Sequence, residues 1–452
     1  QRPTGQEETK RDMGFLAVFN YSLSDRYLLD ISYRANASSQ FGKDNRWGQF
    51  WSGGLGWNVH NESFLKGLGV FEQLKIRGSV GYTGSQNVGA YQSLSTYTYD
   101  LEKIYEGFLG AHLMGMANDQ LKWQRKMDYN VGFDMNIKRK LNVRLDYYQS
   151  ITDNTLLDLT LPPSTGFSSV MENVGKIKNT GIETRIAYTV LSYPKDRTYI
   201  TINGTLAHNK NKVMEISDAL SQFNEEQDKK AAGQFNNKPV VKFYEGMSMN
   251  AIWAVPSLGI DPANGREIYV DRNGNTTYVY DARDQVVCGD EMPKITGNFG
   301  FNCEYKGIGL SLVFRYMYGG QMYNTALVDR VENVDMNYNV DKRVLNDRWR
   351  EAGDHARYKS LARVWVAEEG EYRFEKTQPT SRFIQDRNEL DLSSLNVSYD
   401  FFRHKFIKRC GMERLQLSFY MNDVFKYSSM GVERGLSYPF SHKFSFSLQA
   451  TF

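Results

Sequence analysis

Apolar and polar residues alternate along many short segments of this chain. This is the pattern of β-strands whose two faces meet different surroundings. The clearest case is a pair of runs, Phe299–Tyr305 and Ile308–Tyr318, separated only by Lys306-Gly307. Two residues ending in glycine suit a tight hairpin turn. We count thirteen strands of this kind, and each is about as long as a tilted strand needs to be to cross a bilayer.

The connections between these predicted strands alternate between short and long. Turns such as residues 24–26 and 138–140 contrast with insertions at about 86–124, 211–294 and 319–389. Outer-membrane barrels have short periplasmic turns and long external loops. A soluble sandwich or propeller has no reason to place every long loop on one rim. The sequence therefore predicts an all-β fold, a transmembrane antiparallel β-barrel, with these three insertions outside the cell.

Composition agrees with that prediction and excludes other classes. Aromatic residues make up 14% of the 452 residues, which suits strands and interfacial belts. A net charge of +3 argues against a nucleic-acid partner. No apolar run is long enough for a transmembrane helix. The three cysteines cannot all pair, so we expect free thiols, with a Cys288–Cys303 bridge as the alternative.

We find no catalytic motif, cofactor motif or metal-ligand spacing, and we predict that the protein is not an enzyme. One segment, residues 271–275, resembles the start of a calcium loop. Its sixth position is Thr276 instead of the required glycine, so a hairpin turn is the better interpretation. Residues 339–350 have helical apolar spacing and predict a short external helix.

A barrel of this width cannot be filled by its own side chains, so its lumen holds water, a plug or both. Charged residues on the polar faces of the strands are expected to face this lumen: Lys75, Arg77, Asp134, Arg144, Asp146, Glu183, Arg185, Glu304, Arg315 and Asp400. Opposite charges on neighbouring strands favour pairs that brace the wall, or contacts with a plug. Direct ligand contact is the alternative.

Aromatic residues in the long connections are candidates for ligand binding, because their flat faces can stack on sugar rings or hold peptide side chains. Packing inside the loops, or contact with a partner protein, is the competing interpretation. The candidates are Trp123, Tyr244, Trp253, Tyr323, Trp349 and Trp365.

The strand count has a further implication. Bacterial single-chain barrels have even strand numbers. Thirteen strands ending in the periplasm therefore predict at least one earlier strand, which would make this the C-terminal portion of a larger barrel. An additional strand at Met249–Val255 could also restore an even number.

Several motifs, in this order, carry a family resemblance: residues 34–42 (RANASSQFG), 74–84 (LKIRGSVGYTG), 121–123 (LKW), 164–167 (STGF), 173–177 (NVGKI), 259–262 (GIDP) and 289–290 (GD). On these motifs the chain resembles the SusC/RagA family of TonB-linked outer-membrane transporters of the Bacteroidetes. The resemblance extends over nearly the whole chain.

The resemblance implies a bacterial outer-membrane location and a 22-strand barrel, of which about thirteen strands are present here. It also implies an N-terminal plug, a TonB-binding segment and a SusD-like lipoprotein lid. The plug and the early strands are not among these residues, so contact with the TonB complex would go through that N-terminal part. The expected cargo is a large nutrient, with oligosaccharides favoured over peptides. A passive porin, or a structural barrel without energy coupling, is the alternative.

Overall fold

A computed structural model describes residues 8–86, 88–113, 115–160, 166–167, 169–232, 237–334, 340–361, 363–366, 371–374, 376–401, 404–431 and 441–452. Ser164 and Thr165 of the 164–167 motif lie outside these ranges. Side chains are not described at residues 101–102, 158–160, 169, 363–366 and 371–374.

Thirteen strands form one antiparallel sheet, in which the order across the sheet follows the order along the chain. We number them β1 (Asp12–Leu23), β2 (Tyr27–Ser38), β3 (Trp47–Asn58), β4 (Phe71–Ser85), β5 (Gln124–Ile137), β6 (Leu141–Asp153), β7 (Gly175–Tyr193), β8 (Thr198–Ile216), β9 (Ile295–Tyr305), β10 (Ile308–Tyr323), β11 (Ile384–Asp400), β12 (Arg414–Ser428) and β13 (Lys443–Thr451). The thirteen strands predicted from alternation are confirmed.

The short hairpins also form as predicted. Both central residues of the β9–β10 turn, Lys306 and Gly307, have positive φ, at 50° and 98°. Ser24-Asp25 and Lys138-Arg139 likewise have positive φ at both positions. That backbone matches the twist of the flanking strands and makes the connection tight.

The strands are longer than alternation predicted. β8 continues to Ile216, β10 continues to Tyr323 and β11 already begins at Ile384. The connections therefore run over 217–294 and 324–383, shorter than the predicted 211–294 and 319–389. Beyond the apolar band both faces of a strand contact water. Apolar and polar residues therefore stop alternating there, although the backbone hydrogen bonds between strands continue.

The long connections contain their own secondary structure. Small sheets pair Tyr97–Tyr105 with Phe108–Leu113, Leu156–Thr160 with Ser169–Asn173, Ala251–Ala254 with Val286–Asp290, Ser257–Ile260 with Glu267–Val270 and then Thr276–Thr277, and Arg363–Val366 with Glu371–Phe374. The segment 249–255 thus contributes to a two-stranded sheet and not to the main one.

Helical segments are short. They are Lys43–Asn45, Val59–Asn61, Ser63–Lys66, Pro194–Asp196, Asp218–Ala231, Ala282–Asp284, Thr325–Leu327, Val328–Glu332, Lys342–Leu345, Ser381–Phe383 and Lys405–Arg409. Within the described residues, none of these helices has the length and apolar character needed to cross a membrane.

The predicted helix at 339–350 is wrong over most of its length, and residue 339 lies outside the described residues. Only Lys342–Leu345 is helical, as one 3₁₀ turn capped by Asp341. Asp347 has a positive φ of 55°, and Arg348 forms a β-bridge with Tyr358. The backbone pairing of Arg348 ends the helical path that the apolar spacing suggested.

The two faces of the sheet differ in the way the alternation predicted. Large apolar side chains on one face are exposed, among them Leu55 (67%), Val131 (60%) and Phe446 (69%). Polar side chains on the other face are buried, for example Ser150 and Asp391. In water this arrangement would be inverted. The exposed apolar face is therefore the face that meets lipid.

The chain divides into two compact units. The first comprises Gln1–Val190, Asn203–Phe223 and Phe243–Met247, and the second comprises Leu191–Ile202, Asn224–Lys242 and Ser248–Phe452. One apolar core of the first unit contains Phe41, Phe50, Val88, Leu121 and Trp123. In the second unit a core of nine buried residues forms around the connection between β10 and β11: Ile252, Tyr323, Leu327, Val328, Val331, Val334, Val344, Tyr358 and Phe383.

Candidate ligand-facing residues

Four charged residues on the polar face of β4, β5 and β6 form one network. The Arg77 guanidinium donates to Asp134 (3.0 Å) and also pairs with Asp146 (2.5 Å). Arg144 lies 3.1 Å from Asp146 and 3.7 Å from Asp134. The guanidinium of Arg77 lies flat over Gly132, where any side chain would collide with it. Two cations and two anions therefore neutralise each other across three strands.

A second network joins the short-turn ends of four strands in the second unit. Arg197 lies 3.4 Å from Glu304 and 3.1 Å from Asp400. Arg414 donates to the same Asp400 carboxylate at 2.8 Å. The Asp400 side chain is only 5% exposed, and its negative charge is paired with both guanidiniums.

A third network lies on β10, β11 and β12. The Arg315 guanidinium donates to Asp391 (2.7 Å), and Glu389 accepts from Arg387 (2.9 Å) and Lys426 (2.7 Å). Seven of the ten predicted lumen residues thus belong to ion-pair networks. The other three behave differently: Glu183 and Arg185 are exposed, and Lys75 is half-buried. That any of the ten faces the lumen stays a prediction.

Trp123, a predicted ligand-binding residue, lies inside the core of the first unit. Its ring stacks on Phe41 with centroids 4.5 Å apart, and Phe50 meets it edge-on at 5.4 Å. Its Nε1–H donates to the Arg46 carbonyl at 3.0 Å. The Trp123 ring therefore holds the connections together.

Trp253 and Tyr323 are also buried. The Trp253 Nε1–H donates to the carbonyl of Lys242 (3.1 Å), and the Lys242 ammonium lies 5.7 Å from the Trp253 ring. Tyr323 packs edge-on to Phe383, and its hydroxyl donates to the Asn237 carbonyl. Loop packing, the alternative interpretation for these residues, describes their observed contacts.

The remaining aromatic candidates keep more open surface. Tyr244 is 37% exposed. Trp349 is half-buried, packs over Gly265 and donates from Nε1 to the Pro262 carbonyl at 2.9 Å. Trp365 lies on the strand Arg363–Val366, and its side chain lies outside the described residues. Ligand contact by these residues stays a prediction.

The segment 271–275 forms the hairpin turn, as the sequence favoured. Asp271 Oδ1 accepts from the backbone N–H groups of Asn273 and Asn275, both at 2.8 Å, and Gly274 has a positive φ of 84°. These hydrogen bonds lower the pKa of Asp271, and the bond from Asn275 has the largest effect. Across the described ranges no group of His, Cys, Asp and Glu is arranged to hold a metal.

Sequence reasoning missed a buried ionic cluster in the second unit. Arg382 donates to Glu267 (2.9 Å) and Glu332 (2.6 Å), and Glu332 also accepts from the Thr377 hydroxyl. These residues come from two separate insertions. A charged residue in a loop is ordinarily solvated, so no local pattern indicates that these three meet.

A family model described as TonB dependent receptor-like, beta-barrel matches residues 2–240, more than half of the chain. The chain belongs to this family. Its relatives include TonB-dependent receptor SusC of Bacteroides thetaiotaomicron, 31% identical over 69% of this chain and 31% of the relative. TonB-dependent receptor P39 of Formosa agariphila is 25% identical over 94% of this chain and 43% of the relative. The chain thus spans less than half the length of these curated relatives.

Among solved structures, the fold matches one described as the RagAB peptide transporter. The TM-score is 0.77 at 21% identity, over 93% of this chain and 44% of that chain. The resemblance to the SusC/RagA family and the β-barrel fold class are confirmed. As a member of the TonB-dependent receptor family the chain is an outer-membrane protein, and this family consists of transporters rather than enzymes.

Proposed function

We propose that the chain is part of a TonB-dependent importer that carries large nutrients across the outer membrane. The main support is the thirteen-stranded sheet of this member of the receptor family. One face of the sheet is apolar and exposed, and charged side chains on the other face form ion pairs with each other. Such a wall tolerates lipid outside and water inside. The long connections fold around their own cores, which would hold binding groups in fixed positions.

Oligosaccharides are the proposed cargo, and peptides are the alternative. The first two networks carry equal numbers of positive and negative charges, so they would give a charged peptide no electrostatic advantage over a neutral oligosaccharide. Tyr244 and Trp349 retain partly open aromatic surface, and aromatic faces suit the apolar faces of sugar rings. Trp123, Trp253 and Tyr323 would act indirectly, by keeping the connections folded.

The proposed partners are those of the family. A SusD-like lipoprotein would close over the long connections as a lid, and the TonB complex would supply energy through a plug and TonB-binding segment. A passive porin would need neither partner, and uptake through it would continue in a strain without a working TonB complex.

Uptake by cells that express the complete receptor and its lid tests the proposal. Labelled oligosaccharides and labelled oligopeptides should be compared with and without an active TonB complex. We expect TonB-dependent uptake of oligosaccharides. Peptide uptake alone would replace the cargo assignment, and TonB-independent uptake would exclude the importer.

Tyr244→Ala and Trp349→Ala test the binding residues. Each should weaken ligand binding about threefold to tenfold, the value of one aromatic contact. Trp349→Phe should retain most of the affinity because it keeps a ring. Tyr193→Ala removes a tyrosine that is 59% exposed at the short-turn edge, and it is the control. Unchanged binding in both alanine variants, at normal receptor yield, would discard these two assignments.

A further inference from the structure

The turn between β11 and β12 carries unusual positive charge. Residues 401–413 contain four basic residues (Arg403, Lys405, Lys408 and Arg409) and one acidic residue, Glu413, which gives +3 in thirteen positions. The net charge of the whole chain is also +3. The charge of this turn is therefore out of proportion to its length.

Three of these cations project into solvent. The side chains of Lys405, Lys408 and Arg409 are exposed, and in the described part of the chain none of them forms an ion pair or a hydrogen bond. Glu304 and Asp400, the carboxylates of the adjoining strand ends, already pair with Arg197 and Arg414. These two carboxylates are thus occupied, and among the described residues none of the three cations has an ion-pair partner.

The same turn continues the lipid-facing surface. Tyr399, on the apolar face of β11, packs edge-on to Phe401 at 4.6 Å, and Phe401 packs on Phe406 at 5.9 Å. Phe406 is 42% exposed. His404 fits between these rings, with its Nε2 2.8 Å from the Tyr399 hydroxyl. Aromatic side chains beside cations at a strand end are typical of the headgroup level of a membrane.

A neighbouring turn repeats the combination. The Lys306 ammonium lies 5.0 Å from the centre of the Tyr305 ring, and Tyr305 is itself exposed on the apolar face. Both turns belong to the second unit, and the Arg197 network joins their strand ends. Since short turns are the periplasmic ones in outer-membrane barrels, this edge meets the inner leaflet.

We propose that residues 404–413 of this turn bind the headgroups of anionic phospholipids, with Lys405, Lys408 and Arg409 holding the phosphate and Phe406 lying among the acyl chains. Charge and position select this partner. The three cations form no ion pair within the described residues, and they border the exposed apolar band. Anionic headgroups attract exposed lysine and arginine near a bilayer surface. The contact would anchor one edge of the sheet at a fixed depth. It depends on the membrane location and is independent of the proposed cargo.

The test compares lipid binding by the complete receptor in non-ionic detergent micelles. Phosphatidylglycerol is titrated against phosphatidylcholine with the same acyl chains, and inorganic phosphate is the soluble control. We expect a preference for phosphatidylglycerol of about tenfold or more at low salt, which falls as salt screens the charges. The triple variant K405Q/K408Q/R409Q should lose that preference.

The matched control is K229Q/K230Q/R272Q, which removes three exposed positive charges from the connection that leaves the opposite end of β8. It should bind phosphatidylglycerol as the unmodified receptor does. The proposal is overturned if the receptor shows no preference between the two lipids. It is also overturned if the K405Q/K408Q/R409Q variant retains the preference for phosphatidylglycerol. Equal competition by inorganic phosphate would also overturn it. If the K405Q/K408Q/R409Q variant does not fold, the salt dependence of the unmodified receptor decides: a preference for phosphatidylglycerol that salt does not lower overturns the proposal.

Discussion

The Arg382 side chain joins two insertions of the second unit. It lies between Glu267 and Glu332, and the three side chains are 11%, 1% and 0% exposed. Burial opposes its charge, but the two carboxylates outweigh that effect and raise the pKa of Arg382 above its usual value. It therefore stays protonated and neutralises two buried acids at once.

Replacing Arg382 by methionine keeps the bulk and removes the charge. Two carboxylates would then remain buried without a counterion. Breaking a buried pair in this way typically costs about 3–5 kcal/mol. We expect the helical segment Val328–Glu332 to open about 100- to 5,000-fold more often, as measured by amide hydrogen exchange of the folded receptor in detergent.

Arg283→Met is the control, because the Arg283–Asp281 pair lies at the surface and its loss should change exchange little. Exchange rates over Val328–Glu332 that do not change in Arg382→Met would refute the reasoning. They would mean that the cluster does not hold the two insertions together.

Three further outcomes are expected. Trp123→Ala should destabilise the first unit by about 3–5 kcal/mol, measured as earlier proteolysis of its connections, whereas the exposed Tyr105→Ala should change little. Leu145→Arg, on the exposed apolar face, should lower folding stability in lipid vesicles by about 2–4 kcal/mol, and an unaffected variant would argue against lipid contact there. The Arg343 side chain and backbone N–H lower the pKa of Asp341 to about 2, so the 3₁₀ turn after it should be intact above pH ~4 and lost as pH falls through about 2, as followed by the Asp341 carboxyl NMR shift.

The strands were predictable because the bilayer imposes a strict alternation on them. Their lengths were not. In β8, Ile200 and Ile202 follow the apolar pattern, but Lys210 and Lys212 occupy the same face further along. These lysines lie where that face meets water. The apolar alternation therefore ends before the strand does, and the backbone pairing of β8 continues beyond it.

The roles of the loop aromatics could not be predicted from sequence. Trp123 is buried because Phe41, 82 residues earlier, stacks on it, and no local pattern encodes that distance. Arg382 meets Glu267 across 115 residues for the same reason. Side chains in long connections are placed by tertiary contacts, and a single sequence does not specify these.

The charge balance of the polar face leads to a last prediction. The networks of Arg77 and Arg197 each combine two cations with two anions, and that of Arg315 exceeds balance by one positive charge. Opposite charges within 4 Å of each other produce little field at a distance. The two balanced networks, those of Arg77 and Arg197, would therefore give no long-range attraction to a charged ligand.

If the cargo is a neutral oligosaccharide, its association rate should change by less than about twofold between about 50 mM and about 500 mM salt. Stopped-flow binding to the complete receptor measures this, with a charge-bearing oligosaccharide of the same length as the control. A rate that falls steeply with salt would mean that a charged surface in the connections steers the ligand. The cargo would then be an ionic polymer or a charged peptide, and the balanced networks would serve only to brace the wall.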